Sequence, residues 1–340
     1  MDEFGGLLDG PRARGAFLLR TVMEPPWSLR VRDEVALAVL AVVRGEAHMR
    51  FADGRVIDLR AGDLVITVGG QEYDIADTAG RPPEIVILPD GECATPDGRP
   101  VETTTQLGVR TWGNSAAGST EVLVGNYADA STLGGRVLAG LPGVMVLDGF
   151  GHDSPVLAML AQEISTERPG QEVVLDRLLD LLLVTALRTW FERPGAPAPG
   201  WYVAAADPVV GPALRAMQAD PARRWTVAEL AAQARVSRAA LARRFTELVG
   251  EPPMAFLAGR RLALAADLLR DTDATLDAVA RRVGYGSGFA LSAAFKRVHG
   301  ISPREHRERA RRIARQITDR RSAAAAVRGG AAPAGASPAT

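Results

Sequence analysis

Arginines concentrate in one short stretch of this 340-residue chain, RVSRAALARRFTELVGEPP at residues 235–253. Leu241 and Phe245 lie one helical turn apart, so both face the buried side of a predicted helix. This register leaves Arg238 and Arg243 on the solvent side. A guanidinium that projects from a helix can form two hydrogen bonds with a guanine edge or pair with a phosphate. These residue types and their spacing indicate recognition of an anionic polymer.

The same pattern recurs about fifty residues later, in GYGSGFALSAAFKRVHGISP. Each copy follows a short segment with apolar residues at i, i+3, i+4 and i+7, which predicts an amphipathic helix. The first of these helices opens with a capping box formed by Thr226 and Glu229. A tight turn and an N-capping serine, Ser237 or Ser287, then precede the second helix. Both copies therefore predict a helix-turn-helix unit, and the second copy has one extra residue at its turn.

A predicted helix, MAFLAGRRLALAADLLR, joins the two units and can hold them about one turn of DNA apart. Arg243 is the predicted base reader, whereas Arg238 suits a base or a phosphate equally and Arg244 suits solvent or a phosphate. The outward positions of the second copy are Gly288, Phe289, Ser292 and Ala293. Because that copy has few groups that read bases, it is predicted to hold mainly the DNA backbone. The predicted DNA-binding residues are Ser237, Arg238, Ala239, Ala242, Arg243, Arg244, Ser287, Gly288, Ser292, Lys296 and Arg297.

The formal charge of the chain is zero, but it is distributed unevenly. Residues 1–206 contain 17 arginines and 28 acidic residues, whereas residues 207–321 contain 22 basic and 12 acidic residues. An acidic body joined to a basic module suits an anionic partner at one end only, although two independent solvated surfaces would also account for it.

Several protein classes are excluded by composition. The single cysteine, Cys93, excludes internal disulfides and zinc sites built on cysteine pairs, and a lone thiol in a predicted exposed loop is weak evidence for redox sensing. The start MDEFGGLLDGPRARG does not resemble a signal peptide, so a cytoplasmic location is expected. The longest apolar run, LLDLLLVTALRTWF, is interrupted by charges and falls short of the roughly 20 residues of a membrane span. No membrane partner is expected.

The N-terminal part alternates short β-branched runs with turn signals such as Ala52-Asp53-Gly54 and Ala61-Gly62-Asp63. This rhythm predicts an antiparallel barrel or sandwich. Two helices of roughly 12 and 22 residues follow. The second helix is apolar on more than one side, which favours contact with the β domain and with a second subunit in a homodimer; a helix internal to one subunit is the alternative.

The residues from WTVAELAAQARVSRAALARRFTELVGEPP to VARRVGYGSGFALSAAFKRVHGISPREHR resemble the DNA-binding domain of the AraC/XylS family of bacterial transcription regulators. The resemblance covers about residues 207–311. It implies a seven-helix module with two helix-turn-helix units that binds promoter DNA and acts on RNA polymerase. By position, the family's base-contacting places in the first copy fall on Ala239, Ala242 and Arg243. Ala293 departs from the family, because many relatives have arginine there.

The N-terminal half resembles the cupin-type sensor domain found on some of these regulators. The resemblance rests on PPWSLRV, on VVRGEAHMRFADGRVIDLRAGDLVITVGGQEYDI and on GRVLAGLPGVMVLDG. Cupins commonly hold a metal with histidines and a glutamate, but Glu46, His48 and Arg50 share one strand face and read as a solvated surface. No metal and no cofactor are predicted. A small-molecule effector inside the barrel is plausible, with Trp27 as a candidate ligand contact or a core anchor.

The predicted fold class is α+β multidomain, with an N-terminal β-barrel of the cupin-like jelly-roll kind, two following helices and a C-terminal all-α domain. The predicted function is a ligand-responsive transcription factor and not an enzyme. A cupin-fold enzyme with a helical accessory domain is one alternative, and a dimeric interaction module that does not bind DNA is another. The predicted parts are the barrel at 1–150, a helical pair at 151–192, a linker at 193–206, the DNA-binding domain at 207–316 and a disordered tail at 317–340.

Overall fold

A computed structural model describes the chain over most of its length. The described residues are 17–32, 34–89, 92–101, 106–108, 110–127, 141–166 and 168–312. The predicted tail at 317–340 and the GRVLAG part of the quoted cupin-like stretch lie outside these residues.

The N-terminal half is built from β-strands that form two sheets. The strands are β1 (Phe17–Met23), β2 (Ser28–Val31), β3 (Leu37–Arg44), β4 (Glu46–Phe51), β5 (Val56–Arg60), β6 (Leu64–Val68), β7 (Tyr73–Ala76), β8 (Ile85–Ile87), β9 (Cys93–Ala94), β10 (Gln106–Gly108), β11 (Thr111–Gly113), β12 (Thr120–Tyr127) and β13 (Val144–Leu147). The larger sheet has the order β10-β11-β1-β12-β3-β6-β13 and the smaller one β5-β4-β7-β2-β8-β9. Both predicted turns are present, since Gly54 and Gly62 adopt positive φ angles of 85° and 93°.

The two sheets share a core that contains Leu40 of β3, Met49 of β4 and Trp112 of β11. Along β4, residues Ala47, Met49 and Phe51 are buried, while the alternate residues form a polar outer face, as predicted. Ladder hydrogen bonds do not join the two sheets in the described residues, so the domain is an open jelly-roll sandwich and not a closed barrel.

The rest of the described chain is helical. The helices are α1 (Pro155–Ile164), α2 (Gln171–Glu192), α3 (Gly200–Ala206), α4 (Val210–Ala219), α5 (Val227–Gln233), α6 (Arg238–Val249), α7 (Pro253–Asp271), α8 (Leu276–Arg282), α9 (Gly288–His299) and α10 (303–312). In the described part of the chain, no helix is both long enough and apolar enough to cross a membrane.

Helices α1 and α2 pack against the outer face of the larger sheet and share its core cluster. Gly125 of β12 permits this approach, because a Cβ atom there would lie 2.5 Å from Leu179 Cδ1 of α2. As predicted, the apolar residues of α2 occupy more than one side of the helix. Val174 and Leu181 remain exposed at 42% and 47%, respectively.

The stretch predicted as a linker, 193–206, contains helix α3 in its second half. This helix packs on α6 so closely that a Cβ atom at Gly200 would lie 2.1 Å from the Leu248 carbonyl oxygen. At its other side, the rings of Phe191 and Tyr202 lie 4.5 Å apart. The proline- and glycine-rich RPGAPAPG predicts a linker only for the first half of this stretch. The following WYVAAA is apolar enough to pack as a helix.

From α4 to α10, the described chain contains the seven helices that the resemblance implies. The first helix-turn-helix unit packs around Leu230, Leu241 and Phe245, which join the core cluster of the N-terminal half. The second unit has its own core around Val279 and Phe295. Helix α7 contributes to both cores and, at 19 residues, is about 28 Å long.

Candidate nucleic-acid interface

The first helix-turn-helix unit consists of α5, its turn and α6. The predicted capping box is present, because the Glu229 N–H donates to Thr226 Oγ1 at 3.2 Å and the Thr226 N–H donates to Glu229 Oε2 at 2.8 Å. The Thr226 hydroxyl also donates to Glu229 Oε2 at 2.9 Å, and this bond, followed by the one from the Thr226 N–H, holds the pKa of Glu229 below its ordinary value. At the turn, Arg235 adopts a left-handed φ of 55° and the Val236 N–H donates to the Ala231 carbonyl at 3.1 Å. The turn is therefore closed by backbone geometry.

Helix α6 begins at a serine cap, where the Ala240 N–H donates to Ser237 Oγ at 3.2 Å. It ends at Gly250, which has a left-handed φ of 84°. The buried Leu241 and Phe245 fix the rotation of the helix about its axis. The opposite side consequently presents the exposed Ala239 and Arg243. Arg238, in the first turn, is also exposed, and Ala242 is half-buried.

Arg243, the predicted base reader, projects into solvent. Its side chain is 78% exposed, and among the described residues it forms an ion pair with Glu247, with Nε and Oε1 3.7 Å apart. An exposed pair of this kind contributes little free energy. The guanidinium of Arg243 can therefore leave Glu247 for a guanine edge at small cost.

Arg244 is not a free cation of the interface. Its Nε and Nη2 atoms donate to Asp207 Oδ2 at 3.1 and 2.9 Å. Asp207 also accepts hydrogen bonds from the backbone N–H groups of Val209 and Val210 at the start of α4, each at 2.9 Å. The expectation of a solvated or phosphate-facing Arg244 is corrected to a contact between α6 and the α3–α4 junction.

Burial by itself would raise the pKa of Asp207. The hydrogen bonds from Val210 and Val209 and the guanidinium of Arg244 outweigh that effect and hold the pKa below its ordinary value. Asp207 therefore remains a carboxylate that ties the entrance of the DNA-binding region to α6.

The second unit consists of α8, its turn and α9, and it repeats the first with one insertion. Gly284 takes the left-handed position that Arg235 has in the first unit, with a φ of 84°. The Tyr285 N–H donates to the Ala280 carbonyl at 2.8 Å. The equivalent bond in the first unit joins the Val236 N–H to the Ala231 carbonyl. The extra residue predicted from the offset is Gly286, which directly precedes the capping Ser287.

Gly288 does not face outward, contrary to the expectation from the sequence. It is buried, and a Cβ atom there would lie 2.8 Å from Asp277 Oδ1. The same carboxylate oxygen accepts a hydrogen bond from the Gly288 N–H at 2.7 Å. The first turn of α9 is thus anchored to α8 through backbone contact at Gly288.

The other predicted residues of the second unit lie at the start of α9 or along it. Ser287 caps α9 by accepting from the Ala290 N–H at 3.2 Å. Ser292 is half-buried, and Lys296 and Arg297 are exposed on α9. Phe289 is 85% exposed, although it is not among the predicted binding residues.

The predicted sites of the N-terminal half need one correction. Trp27 is buried at 3% exposure in the core between the sheets. Cys93 is half-buried in β9 and not exposed in a loop, and burial raises the pKa of its thiol. Among the described residues, no group of three or more His, Cys, Asp or Glu side chains is arranged to hold a metal ion.

Comparisons with known proteins match both halves of the chain. The family described as Cupin matches residues 2–192, and the family described as Helix-turn-helix domain matches residues 230–309. The AraC-like transcription regulator of Streptomyces antibioticus is 33% identical over 314 residues, which cover 91% of this chain and 99% of that protein. That of Streptomyces lividans is 33% identical over 315 residues, with coverages of 91% and 98%.

A solved structure of the DNA-binding domain of AdpA, in complex with a target DNA, is 34% identical and covers 31% of this chain and 95% of that one, with a TM-score of 0.30. Family membership rests on the two family matches and on the two Streptomyces relatives, which align over nearly the whole chain. With a cupin domain before two helix-turn-helix units, the chain belongs to the AraC family of DNA-binding transcription regulators.

Proposed function

We propose that this regulator recognises a two-part promoter site through α6 and α9, and that Arg243 supplies base discrimination in α6. The observation that carries the proposal is the repetition of one capped helix-turn-helix unit with a fifty-residue offset between α6 and α9. Recognition helices of this kind present residues near their N-termini to base edges in the major groove. Two such helices joined by α7 suit half-sites about one helical turn apart.

The test is a binding-site selection with the full chain and a pool of random duplex DNA at one stated salt concentration. Enrichment of a site with two conserved parts about one turn apart supports the proposal. Retention of DNA without any sequence enrichment contradicts it, because phosphate contacts alone give affinity without sequence preference.

We also propose that a small-molecule effector binds between the two sheets beside Trp27. Among the described residues, the buried indole Nε1 of Trp27 has no hydrogen-bond partner. A buried donor without an acceptor costs free energy, and an acceptor on a ligand would satisfy it. The surrounding side chains are apolar and aromatic, which suits a mainly apolar ligand with one polar group.

A thermal-denaturation screen of the full chain against a library of small molecules tests the effector proposal. A ligand of this site raises the midpoint, since binding to the folded state alone stabilises it. Trp27→Phe should reduce that shift, whereas Trp225→Phe should not, because the Trp225 indole donates to the Asp220 carbonyl outside the sandwich. An equal shift in all three proteins contradicts a site at Trp27.

The same protein is proposed to act as a homodimer through α2. Val174 and Leu181 are seven residues apart, so both exposed side chains lie on one stripe of this helix. A stripe of this kind can pair with its own copy in an isologous interface. Analytical ultracentrifugation should give a dimer mass for the native chain and a monomer mass for Leu181→Glu. The control Met159→Glu changes an exposed apolar residue of α1 and should leave the dimer intact.

Its place of action is proposed to be the cytoplasm, where bacterial promoter DNA lies, and its second partner is proposed to be RNA polymerase, as the family resemblance implies. Transcription with purified RNA polymerase from a promoter that carries the selected site tests the second partner. A change in transcript yield on addition of the regulator supports the proposal, and an unchanged yield contradicts it.

A further inference from the structure

Phe289 lies in the first turn of α9 with 85% of its surface exposed. No other large apolar side chain reported as exposed in the described chain reaches this fraction. A phenylalanine buries on the order of 150 to 250 Å² when it finds a partner surface. The N-terminal turn of a recognition helix is the part that enters the major groove. A fully presented aromatic ring at this position is therefore placed to contact bases.

The fold holds Phe289 in this orientation. Leu291 and Phe295 are buried, and the Gly288 N–H donates to the Asp277 side chain at Oδ1, 2.7 Å away. Successive residues of a helix are about 100° apart, so Leu291 points roughly 200° away from Phe289. Rotation of α9 that buried Phe289 would expose this core. The ring consequently stays on the face opposite the core of the second unit.

The same face of α9 carries Ser292, Ala293 and Lys296. With the fifty-residue offset, Phe289 occupies the position of Ala239 in α6, and Ala293 occupies that of Arg243. The small side chains of Ser292 and Ala293 allow α9 to approach DNA closely. Lys296 lies two turns further along, where it can meet a phosphate. The chemistry of this face is thus one aromatic ring, two small residues and a terminal cation.

An aromatic side chain in the major groove has one sequence-specific partner among the base edges, the C5-methyl group of thymine. Cytosine lacks this methyl, and the purine edges present polar atoms to the groove. We propose that Phe289 reads a thymine through apolar contact with its C5-methyl group and that α9 is consequently a second base-reading helix. This inference rests on the proposed site recognition, and it differs from the expectation that the second unit mainly holds the DNA backbone.

The experiment replaces thymine by deoxyuridine, one position at a time, in the part of the selected site that α9 contacts. This change removes only the methyl group and leaves the hydrogen-bonding edge intact. For the native chain, one such replacement should weaken binding about fourfold, as expected for loss of one buried methyl contact. If the selected site has cytosine at that position in some sequences, 5-methylcytosine should bind more tightly than cytosine.

Two variants of Phe289 and one matched control assign the effect. Phe289→Ala should bind the thymine and deoxyuridine sites equally, whereas Phe289→Leu should restore part of the preference. Val298→Ala removes another apolar side chain of α9, which is 59% exposed, nine residues further along and about 180° around the helix axis from Phe289. It should retain the native preference for thymine. Because Phe289 contacts no core, all three variants should show native helix content by circular dichroism.

The outcomes separate this inference from the proposed function. If the native chain selects a two-part site but binds every deoxyuridine site as well as the parent, the inference is wrong and the proposed function stands. If Phe289→Ala weakens binding to the parent site and to every deoxyuridine site by the same factor, the preference for thymine does not depend on the ring. The ring then only adds contact area, and the inference is also wrong. If the native chain selects no site, the proposed function fails, and the inference fails with it.

Discussion

Adjacent arginines of α6 have different roles because a helix turns by about 100° per residue. Arg243 points away from the core and has only an exposed ion pair with Glu247. Arg244 points toward the α3–α4 junction, where its guanidinium meets the buried carboxylate of Asp207. A run of two arginines thus supplies one candidate base reader and one structural contact.

Replacement of these two arginines should separate DNA recognition from stability. Arg243→Ala should weaken binding to the selected site by about tenfold to a hundredfold and relax one base preference, because a bidentate contact with guanine is lost. Arg244→Ala should instead lower the free energy of unfolding by about 1 kcal/mol, because Asp207 loses a charged partner. Competition binding and urea denaturation measure the two effects. If Arg244→Ala weakened DNA binding and Arg243→Ala lowered the free energy of unfolding, both roles would be wrong.

Asp207 should make stability depend on pH in the acidic range. Its pKa in the folded protein lies below the ordinary value of about 3.9, so its ionised form favours folding. This contribution is complete above that ordinary value and is lost as the pH falls through the lower folded pKa. Asp207→Asn should cost about 1 kcal/mol in urea denaturation at pH 7, where the native carboxylate pairs with the guanidinium of Arg244. The difference between the two proteins should shrink at pH 3, and a difference that grows on acidification would contradict the assignment.

At the scale of elements, α3 connects the N-terminal half to α6 of the first helix-turn-helix unit. Tyr202 of α3 stacks near Phe191 at the end of α2, with 4.5 Å between ring centroids. The opposite side of α3 touches α6, where the Leu248 carbonyl approaches Gly200. Helix α3 therefore contacts both the end of α2 and α6.

Gly200→Ala should disturb this connection. The added Cβ would lie 2.1 Å from a backbone oxygen, which cannot move without displacing α6. We expect a loss of about 1 to 3 kcal/mol in the free energy of unfolding, the usual range for overpacking. Gly286→Ala is the matched control, because a Cβ there meets nothing within 4 Å and the residue does not have a positive φ. Equal stability of the two variants in urea denaturation would show that α3 does not dock on α6 in solution.

At the scale of the whole molecule, charge is divided between an acidic N-terminal half and a basic C-terminal module. Some basic residues of the C-terminal module bind other parts of the same chain and are not available to DNA. Arg261, for example, donates to the Pro221 and Arg223 carbonyls, each at 2.7 Å, and holds α7 against the segment before α5. The exposed cations of α9, Lys296 and Arg297, remain available for phosphates.

The affinity for DNA should fall with salt in proportion to the number of phosphate contacts. Each contact contributes about −0.9 to the slope of the logarithm of affinity against the logarithm of salt concentration. Lys296→Ala and Arg297→Ala should each reduce the magnitude of the slope by about 1, with little change in sequence preference. The control Arg99→Ala removes an exposed cation of the acidic half and should leave the slope unchanged. A variant slope equal to the native one would remove that residue from the set of phosphate contacts.

The features that depend on a few neighbouring residues were predictable from the sequence. Both helix-turn-helix units, the Thr226–Glu229 capping box and the alternation along β4 were correctly predicted, and the AraC resemblance was confirmed by the family comparisons. These features arise from hydrogen bonds between near neighbours and from side-chain periods of 3.6 and 2 residues. The division into five parts, the dimer and the residue-by-residue DNA contacts stay predictions.

The features that only the tertiary structure decided join residues that are distant along the chain. Arg244 meets a carboxylate 37 residues earlier, and Gly288 meets one 11 residues earlier, so neither partner follows from local periodicity. The open sandwich in place of a closed barrel likewise depends on how thirteen described strands pair. The sequence by itself determined the two helix-turn-helix units, the strand-rich character of the N-terminal half and the family that both halves resemble. Packing between distant segments decided which side chains of those elements remain exposed to meet DNA.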